Sequence, residues 1–347
     1  MGAAKATTRI AMCCALLLSG CAAYRIPSSA LRDDPGPLYM QSVRPVAQQS
    51  YQCGPAALES VLSYWGVSAT ADEISRELYT PGARGILNFL LAQYARRRGF
   101  WTEIHTGDAP DDLRAWLARG VPPIVMLRVG PRWLACYHFV VLTGFNARDD
   151  VWYANTGAAQ TQAIPDRALR SRWKDAQRWA LVICPPERVD WPLEAARAAE
   201  LGWLLEQSGR LSVAAQRYRE ALTHQPADSA TRFRLANIYL KTQQLSEATG
   251  LYVALLRDQP GHGGAVNNLA WIFIEEGQSP AAIRLVEDAF QRGVERTYDM
   301  LDTLGWAQCQ AGQSASGRQY LHEALAAAPL DHPAAAGSIR AHLASCR

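Results

Sequence analysis

The second half of this 347-residue chain repeats itself roughly every 34 residues, a period that few architectures accept. Leu201-Gly202, Leu235-Ala236, Leu269-Ala270 and Leu304-Gly305 recur at steps of 34, 34 and 35 residues. Other positions keep the same register. Gly209, Gly277 and Gly312 fall where a helical pattern must turn. Ala214, Ala248 and Ala282 supply a small residue in a second helical stretch, and Tyr218 and Tyr252 follow four residues later. Pro226, Pro260 and Pro329 close three of the units, while Gly293-Val294 departs from that pattern. A helix pair of this length cannot bury its apolar face alone, so neighbouring pairs must stack around one continuous core. An all-α solenoid over residues 193–347 follows.

This register resembles the tetratricopeptide repeat over about 155 residues, in about four units. The resemblance implies that the repeat surface recruits a protein partner or substrate.

Residues 38–186 read differently. Helical spacing covers 55–65, with Leu58, Val61, Leu62 and Trp65 on one face and Gly66 as the stop. Thr70 and Glu73 stand at capping-box spacing and open a second helix. Further helices are expected over 85–98 and 111–119. The pattern then changes to short runs rich in Val, Ile, Leu and aromatics, at 123–129, 137–145, 151–155 and 179–184, which read as strands. Residues 100–104 read as an edge strand. Helices first and antiparallel strands afterwards make an α+β domain, closed by Pro185-Pro186.

At the N-terminus, Lys5 and Arg9 precede a short apolar run over 10–18, followed by Leu18-Ser19-Gly20-Cys21. That is the form of an export signal, too short to span a bilayer as a helix. Leu-Ser-Gly-Cys resembles a bacterial lipobox. The resemblance implies cleavage after residue 20, lipidation of Cys21, and a flexible tether over 21–37. With Ala22 rather than Asp after the cysteine, it further implies an outer-membrane anchor facing the periplasm.

Removing Cys13, Cys14 and Cys21 leaves Cys53, Cys136, Cys184, Cys309 and Cys346. The number is odd, the spacing wide, and no C-x-x-C pair occurs, so neither a disulfide framework nor a metal site is expected. One cysteine is expected to be kept for its chemistry. No cofactor is expected. A net charge of +3 with scattered basic residues gives no argument for nucleic acid, and Arg96-Arg97-Arg98 suits a helix C-terminus before Gly99.

Cys53 stands out because Gly54-Pro55 and a helix follow it. A cysteine at a helix start meets unpaired N–H groups and the positive end of the dipole, which favour the thiolate. Gly54 leaves room for a substrate carbonyl, and a nearby glutamine can donate to the oxyanion. The base must be a histidine. His224, His262, His322 and His332 lie in the repeats, His105 follows the edge strand, and His138 begins the strand at 137–145. Asn155 ends the neighbouring strand and suits the role of orienting the imidazole.

The segments from Gln48 to Leu58, from His138 to Asn146, and the strand ending at Asn155 resemble the papain-like family that includes the bacteriocin-processing, double-glycine leader peptidases. The resemblance implies Cys53 as nucleophile, His138 as general base and later acid, and Gln48 in the oxyanion hole, with Gln49 a competing candidate. Asn155 stands where the family usually has Asp. A cell-envelope cysteine peptidase acting on a peptide or protein is one expectation. A catalytically silent, protein-binding scaffold is the alternative.

Overall fold

The computed structural model describes residues 38–39, 42–48, 52–78, 87–106, 112–130, 136–331 and 333–346. Cys21, the signal, the tether and Gln49 lie outside them. The chain divides into two compact units, Met1–Asp190 and Trp191–Arg347.

In the first unit, helices α1 (Cys53–Tyr64), α2 (Ala71–Leu78) and α3 (Asn88–Arg97) precede most of the sheet. α4 (Asp112–Ala118) and α5 (Asp166–Lys174) lie between strands. The strands are β1 (Leu38–Tyr39), β2 (Trp101–His105), β3 (Ile124–Val129), β4 (Cys136–Asn146), β5 (Val151–Asn155), β6 (Gln162–Pro165) and β7 (Ala180–Cys184). All pairings are antiparallel, in the order β2-β7-β3-β4-β5-β6, with β1 added to the far end of β4. This is the α+β arrangement expected, with three elements the pattern did not announce. β1 and β6 are too short to show a period. α5 buries only Leu169 and Trp173 from an otherwise polar nine-residue run.

α1 is buried along Ala57, Leu58, Val61 and Leu62, which pack with Leu91 of α3, Phe139 and Val141 of β4, and Leu181 and Ile183 of β7. Burying such a side chain contributes about 1.5–3 kcal/mol. Its C-terminal end is fastened to carbonyls near the sheet: Tyr64 Oη donates to Gly120 O at 2.9 Å and Trp65 Nε1 to Ile183 O at 2.9 Å. These contacts fix where the other end, with Cys53, must sit. The capping box forms as read, Thr70 N donating to Glu73 and Glu73 N to Thr70 Oγ1. The arginine cluster is consumed locally, by Glu77 for Arg97 and Arg98 and by Thr102 for Arg96.

The second unit holds nine helices among the described residues: α6 (Ala195–Gln207), α7 (Leu211–His224), α8 (Ser229–Lys241), α9 (Leu245–Asp258), α10 (Gly263–Glu275), α11 (Ser279–Gln291), α12 (Tyr298–Gln310), α13 (Ser314–Ala327) and α14 (Pro333–Ser345). Close approach between helices requires the repeating small residues. A Cβ on Gly202 would lie 2.7 Å from the Tyr218 ring, and one on Gly305 2.8 Å from Leu321. Gly209, Gly277 and Gly312 have φ of +75°, +74° and +79°, the left-handed turn that closes each first helix. The last helix, α14, is covalently tied: Cys346 forms a disulfide with Cys309 of α12, across 37 residues. No disulfide framework is expected from an odd cysteine count, yet this one pair forms among the described residues. The span is close to one repeat, so stacking brings the two cysteines to a Cα–Cα distance of 5.2 Å.

Candidate active site

Cys53 is the first residue of α1, preceded by Gln52, whose side chain is drawn away to Asp72 at 2.8 Å. No acidic residue occupies the first turn of α1, where the helix dipole favours a thiolate. The described thiol cysteines are Cys53, Cys136 and Cys184. Cys184 is fully buried in β7, and burial pushes its thiol up to about 12, which makes it inert at neutral pH. Cys136 is half-buried on β4, two residues before His138.

A narrow cleft opens beside Cys53, with room for about one water molecule. Ala56, Ala57 and Ser60 of α1 form one wall, and Phe139, Val141, Asn155 and Gly157 the other. Apart from Cys53, none of its lining residues is ionisable. The space next to Gly54 is bounded by Leu91 and Phe139, each 3.4 Å from where a Cβ would stand.

His138 is 5% exposed and precedes the cleft residue Phe139. Its Nε2 lies 2.8 Å from the Thr156 carbonyl oxygen. A carbonyl only accepts, so Nε2 carries the proton and Nδ1 is left as the basic nitrogen. Nδ1 is buried and has no hydrogen-bond partner. No hydrogen bond therefore joins the ring to the Cys53 thiol in this resting arrangement. Such bonds commonly tighten only when substrate is bound.

Asn155 does not orient His138, contrary to expectation. Its amide donates to Val43 O at 3.0 Å and to Ser60 Oγ at 3.3 Å, and its oxygen accepts from Thr161 Oγ1 at 2.7 Å. The residue is buried on β5, opposite Val141, and faces the cleft and α1. The group holding the imidazole is the next residue's backbone. Sequence reasoning looked for a side chain and could not have singled out a carbonyl.

Gln48 lies against the same short stretch. Its backbone N donates to Gly157 O at 3.0 Å, and its side chain fills the space a Cβ on Gly157 would need, with Cδ only 2.4 Å from that position. Its Oε1 is buried without a partner. Residues 155–157 are thus the meeting point of the expected set: Asn155 and Gly157 share the cleft wall with Cys53, Thr156 holds His138, and Gly157 seats Gln48. His105 is outside the site, 2.9 Å from Glu103 and packed on Trp116. Among the described residues no cluster of His, Cys, Asp or Glu could hold a metal ion.

Residues 37–181 match the Peptidase_C39 like family, and residues 205–259 match the tetratricopeptide repeat. The chain thus carries a Peptidase_C39-like domain followed by tetratricopeptide repeats. Similar solved structures include the peptidase domain of Streptococcus ComA, a bi-functional ABC transporter involved in a quorum sensing pathway. It is 20% identical, covering 41% of this chain and 98% of that one at a TM-score of 0.35. The thermophilic repeat protein TTC0263 of Thermus thermophilus is 23% identical, covering 44% and 80% at a TM-score of 0.37. Among curated proteins, cellulose synthase operon protein C of Pseudomonas fluorescens (strain SBW25) is 40% identical over 88 residues, 24% of this chain and 7% of that protein. The tetratricopeptide repeat-containing protein trd-1 of Caenorhabditis elegans is 32% identical over 95 residues, 27% and 12% of the two lengths. The chain thus spans about a tenth of the length of these curated relatives.

Proposed function

We propose that the Peptidase_C39-like domain is a working cysteine peptidase, anchored in the bacterial cell envelope through Cys21, and that the repeats recruit a protein partner or substrate. The observation that carries the first part is a helix-start thiol on the cleft together with a buried histidine, next to the cleft residue Phe139, whose Nδ1 has no partner. The reaction runs in two halves. The Cys53 proton passes to His138 Nδ1, and Sγ attacks the peptide carbonyl carbon. The carbon–nitrogen bond breaks as Nδ1–H protonates the leaving amine, which leaves a thioester on Cys53. Water then gives a proton to Nδ1 and its oxygen to the acyl carbon; the carbon–sulfur bond breaks, Sγ takes the proton back from Nδ1, and the carboxylic acid leaves. Gln48 and the first-turn N–H of α1 would receive the oxyanion of each tetrahedral intermediate. Replacing Cys53 with Ala should abolish hydrolysis of a peptide substrate in the full chain; undiminished turnover would refute the assignment.

The Cys309–Cys346 disulfide supports the export reading, because such bonds persist in oxidising compartments. An outer-membrane lipoprotein facing the periplasm predicts that labelled fatty acid enters the protein, and that Cys21→Ala removes both the label and the membrane association. Tetratricopeptide repeats generally mediate protein–protein contacts, which supports the partner role. A second reading, a silent scaffold, is favoured by the engagement of Asn155 with Val43 and Ser60 rather than with His138. Selective acylation of Cys53 by a thiol-reactive acyl electrophile near neutral pH, lost in His138→Ala, separates the two.

A further inference from the structure

We infer that the Thr156-Gly157 backbone is the positioning element of this site: it holds His138 as the Nε2–H tautomer and seats Gln48, while Asn155 is a fastener. The inference rests on the peptidase reading only for its effect on turnover. The geometry divides the labour within three residues. Asn155 commits both amide hydrogens to Val43 O and Ser60 Oγ and its oxygen to Thr161 Oγ1. It therefore binds the 42–48 segment, α1 and the 161 loop together, with both donors spent and its oxygen turned to Thr161 rather than to the imidazole. Thr156 places its carbonyl 2.8 Å from His138 Nε2, and its own Oγ1 donates to Gln162 Oε1 at 2.9 Å, which steadies that peptide against the start of β6. Gly157 turns the chain at φ +81° and accepts from Gln48 N. Only a residue without a Cβ lets the Gln48 side chain lie where it does, since that atom would fall 2.4–2.6 Å from Gln48 Cδ, Oε1 and Cγ.

A side-chain orienter can be exchanged for another of similar reach. A backbone orienter depends on the path of the chain, so its sensitive residue is the glycine beside it. Adding a Cβ at 157 must displace Gln48, the Thr156 peptide, or both, and either movement alters the hydrogen bond that fixes the tautomer.

The test is the imidazole tautomer of His138, read by multiple-bond ¹⁵N–¹H correlation on the labelled full chain. Wild type should show the proton on Nε2; a neutral ring with its proton on Nδ1 overturns the inference. Asn155→Ala should lower the melting temperature and keep the Nε2–H tautomer. Should that variant fail to fold, Asn155→Asp serves, because it keeps the acceptors and loses the two donors. Release of the ring in either Asn155 variant, with Gly157→Ala silent, overturns the inference. Gly157→Ala should give mixed tautomers and a kcat lowered about 100-fold, the scale of a 1 Å misplacement, with KM changed less than about threefold. Gln48→Ala in the Gly157→Ala background removes the clash and leaves only the strain of a side chain at φ +81°, so it should restore the single tautomer in part; no recovery at all counts against the seating of Gln48 by Gly157. If wild type cleaves no peptide, the tautomer measurements still decide the inference, and only the peptidase reading falls.

Discussion

Reducing the disulfide between Cys309 and Cys346 should loosen the last helix of the repeat domain before anything else. The bond closes a loop across 37 residues that holds α13 and α14 entire. For a loop of that length, chain entropy removes about 13 cal/mol/K from the unfolded state, or about 4 kcal/mol at 25 °C. Stacked repeats unfold by neighbour-limited steps, so this stabilisation falls chiefly on the terminal units. Other contacts remain after reduction. Ile339 stays in the core, His342 Nδ1 stays 2.8 Å from Asp302 with its ring stacked on Trp306, and Arg318 still reaches Cys346 O. α14 should therefore stay docked yet open more often. Hydrogen exchange on the full chain, with and without reductant, reads this directly. A 4 kcal/mol loss speeds exchange through unfolding of the terminal units by about 10³-fold. Cys309→Ala should reproduce the effect without reductant. A change of less than about tenfold in α14, with α13 equally unaffected, would refute the reasoning, since 1.4 kcal/mol is far below the loop-closure scale.

Two further outcomes test packing and burial. Gly202→Ala should destabilise by about 1–3 kcal/mol, because the new Cβ meets the fully buried Tyr218 ring, whose hydroxyl is tied to Glu206; Gly250→Ala, with open space around it, should instead stabilise by up to about 1 kcal/mol. Urea denaturation distinguishes them, and equal signs would contradict the close approach. Burial raises the Cys184 thiol from an ordinary 9.0 to about 12, so folding favours its protonated form. That contribution is complete below pH 9 and is lost as the pH rises towards about 12, at about 1.4 kcal/mol per unit. Cys184→Ala should flatten the alkaline fall in stability across that window; an unchanged slope would show that the thiol does not titrate there.

The solenoid was legible because its constraint is repeated. One misread position among Leu201, Leu235, Leu269 and Leu304 leaves the period intact. The strands around the site were legible for a similar reason: β4 and β7 are almost wholly buried and read as continuous apolar runs. Cys53 and His138 carried side-chain signals and local context. What sequence could not carry was partnership. Asn155 has the chemistry of an orienter, but its position opposite Val141 turns it towards Ser60 and Val43, 95 and 112 residues away in sequence. The group that replaces it is a carbonyl, and every residue has one. The disulfide was missed because an odd count of five hid one true pair, although its spacing of 37 is close to the repeat already in view.

One discriminator between an enzyme and a scaffold is the unpartnered nitrogen of His138, one of several such buried atoms among the described residues. A buried acceptor with no partner costs about 1–3 kcal/mol, and binding alone does not call for one next to the cleft residue Phe139. Catalysis does call for it, because a general base must keep its lone pair available until substrate arrives. Replacing His138 with Phe separates the two roles. The variant removes the orphan and keeps a flat ring in the site, but it strands the Thr156 carbonyl, a loss of about 1–3 kcal/mol. The two changes nearly offset, so stability should stay within about 1–2 kcal/mol of wild type while hydrolysis falls by at least about 10²-fold. A loss above about 3 kcal/mol would mean that Nδ1 is satisfied in the folded protein, and that His138 is held for structure rather than for a proton.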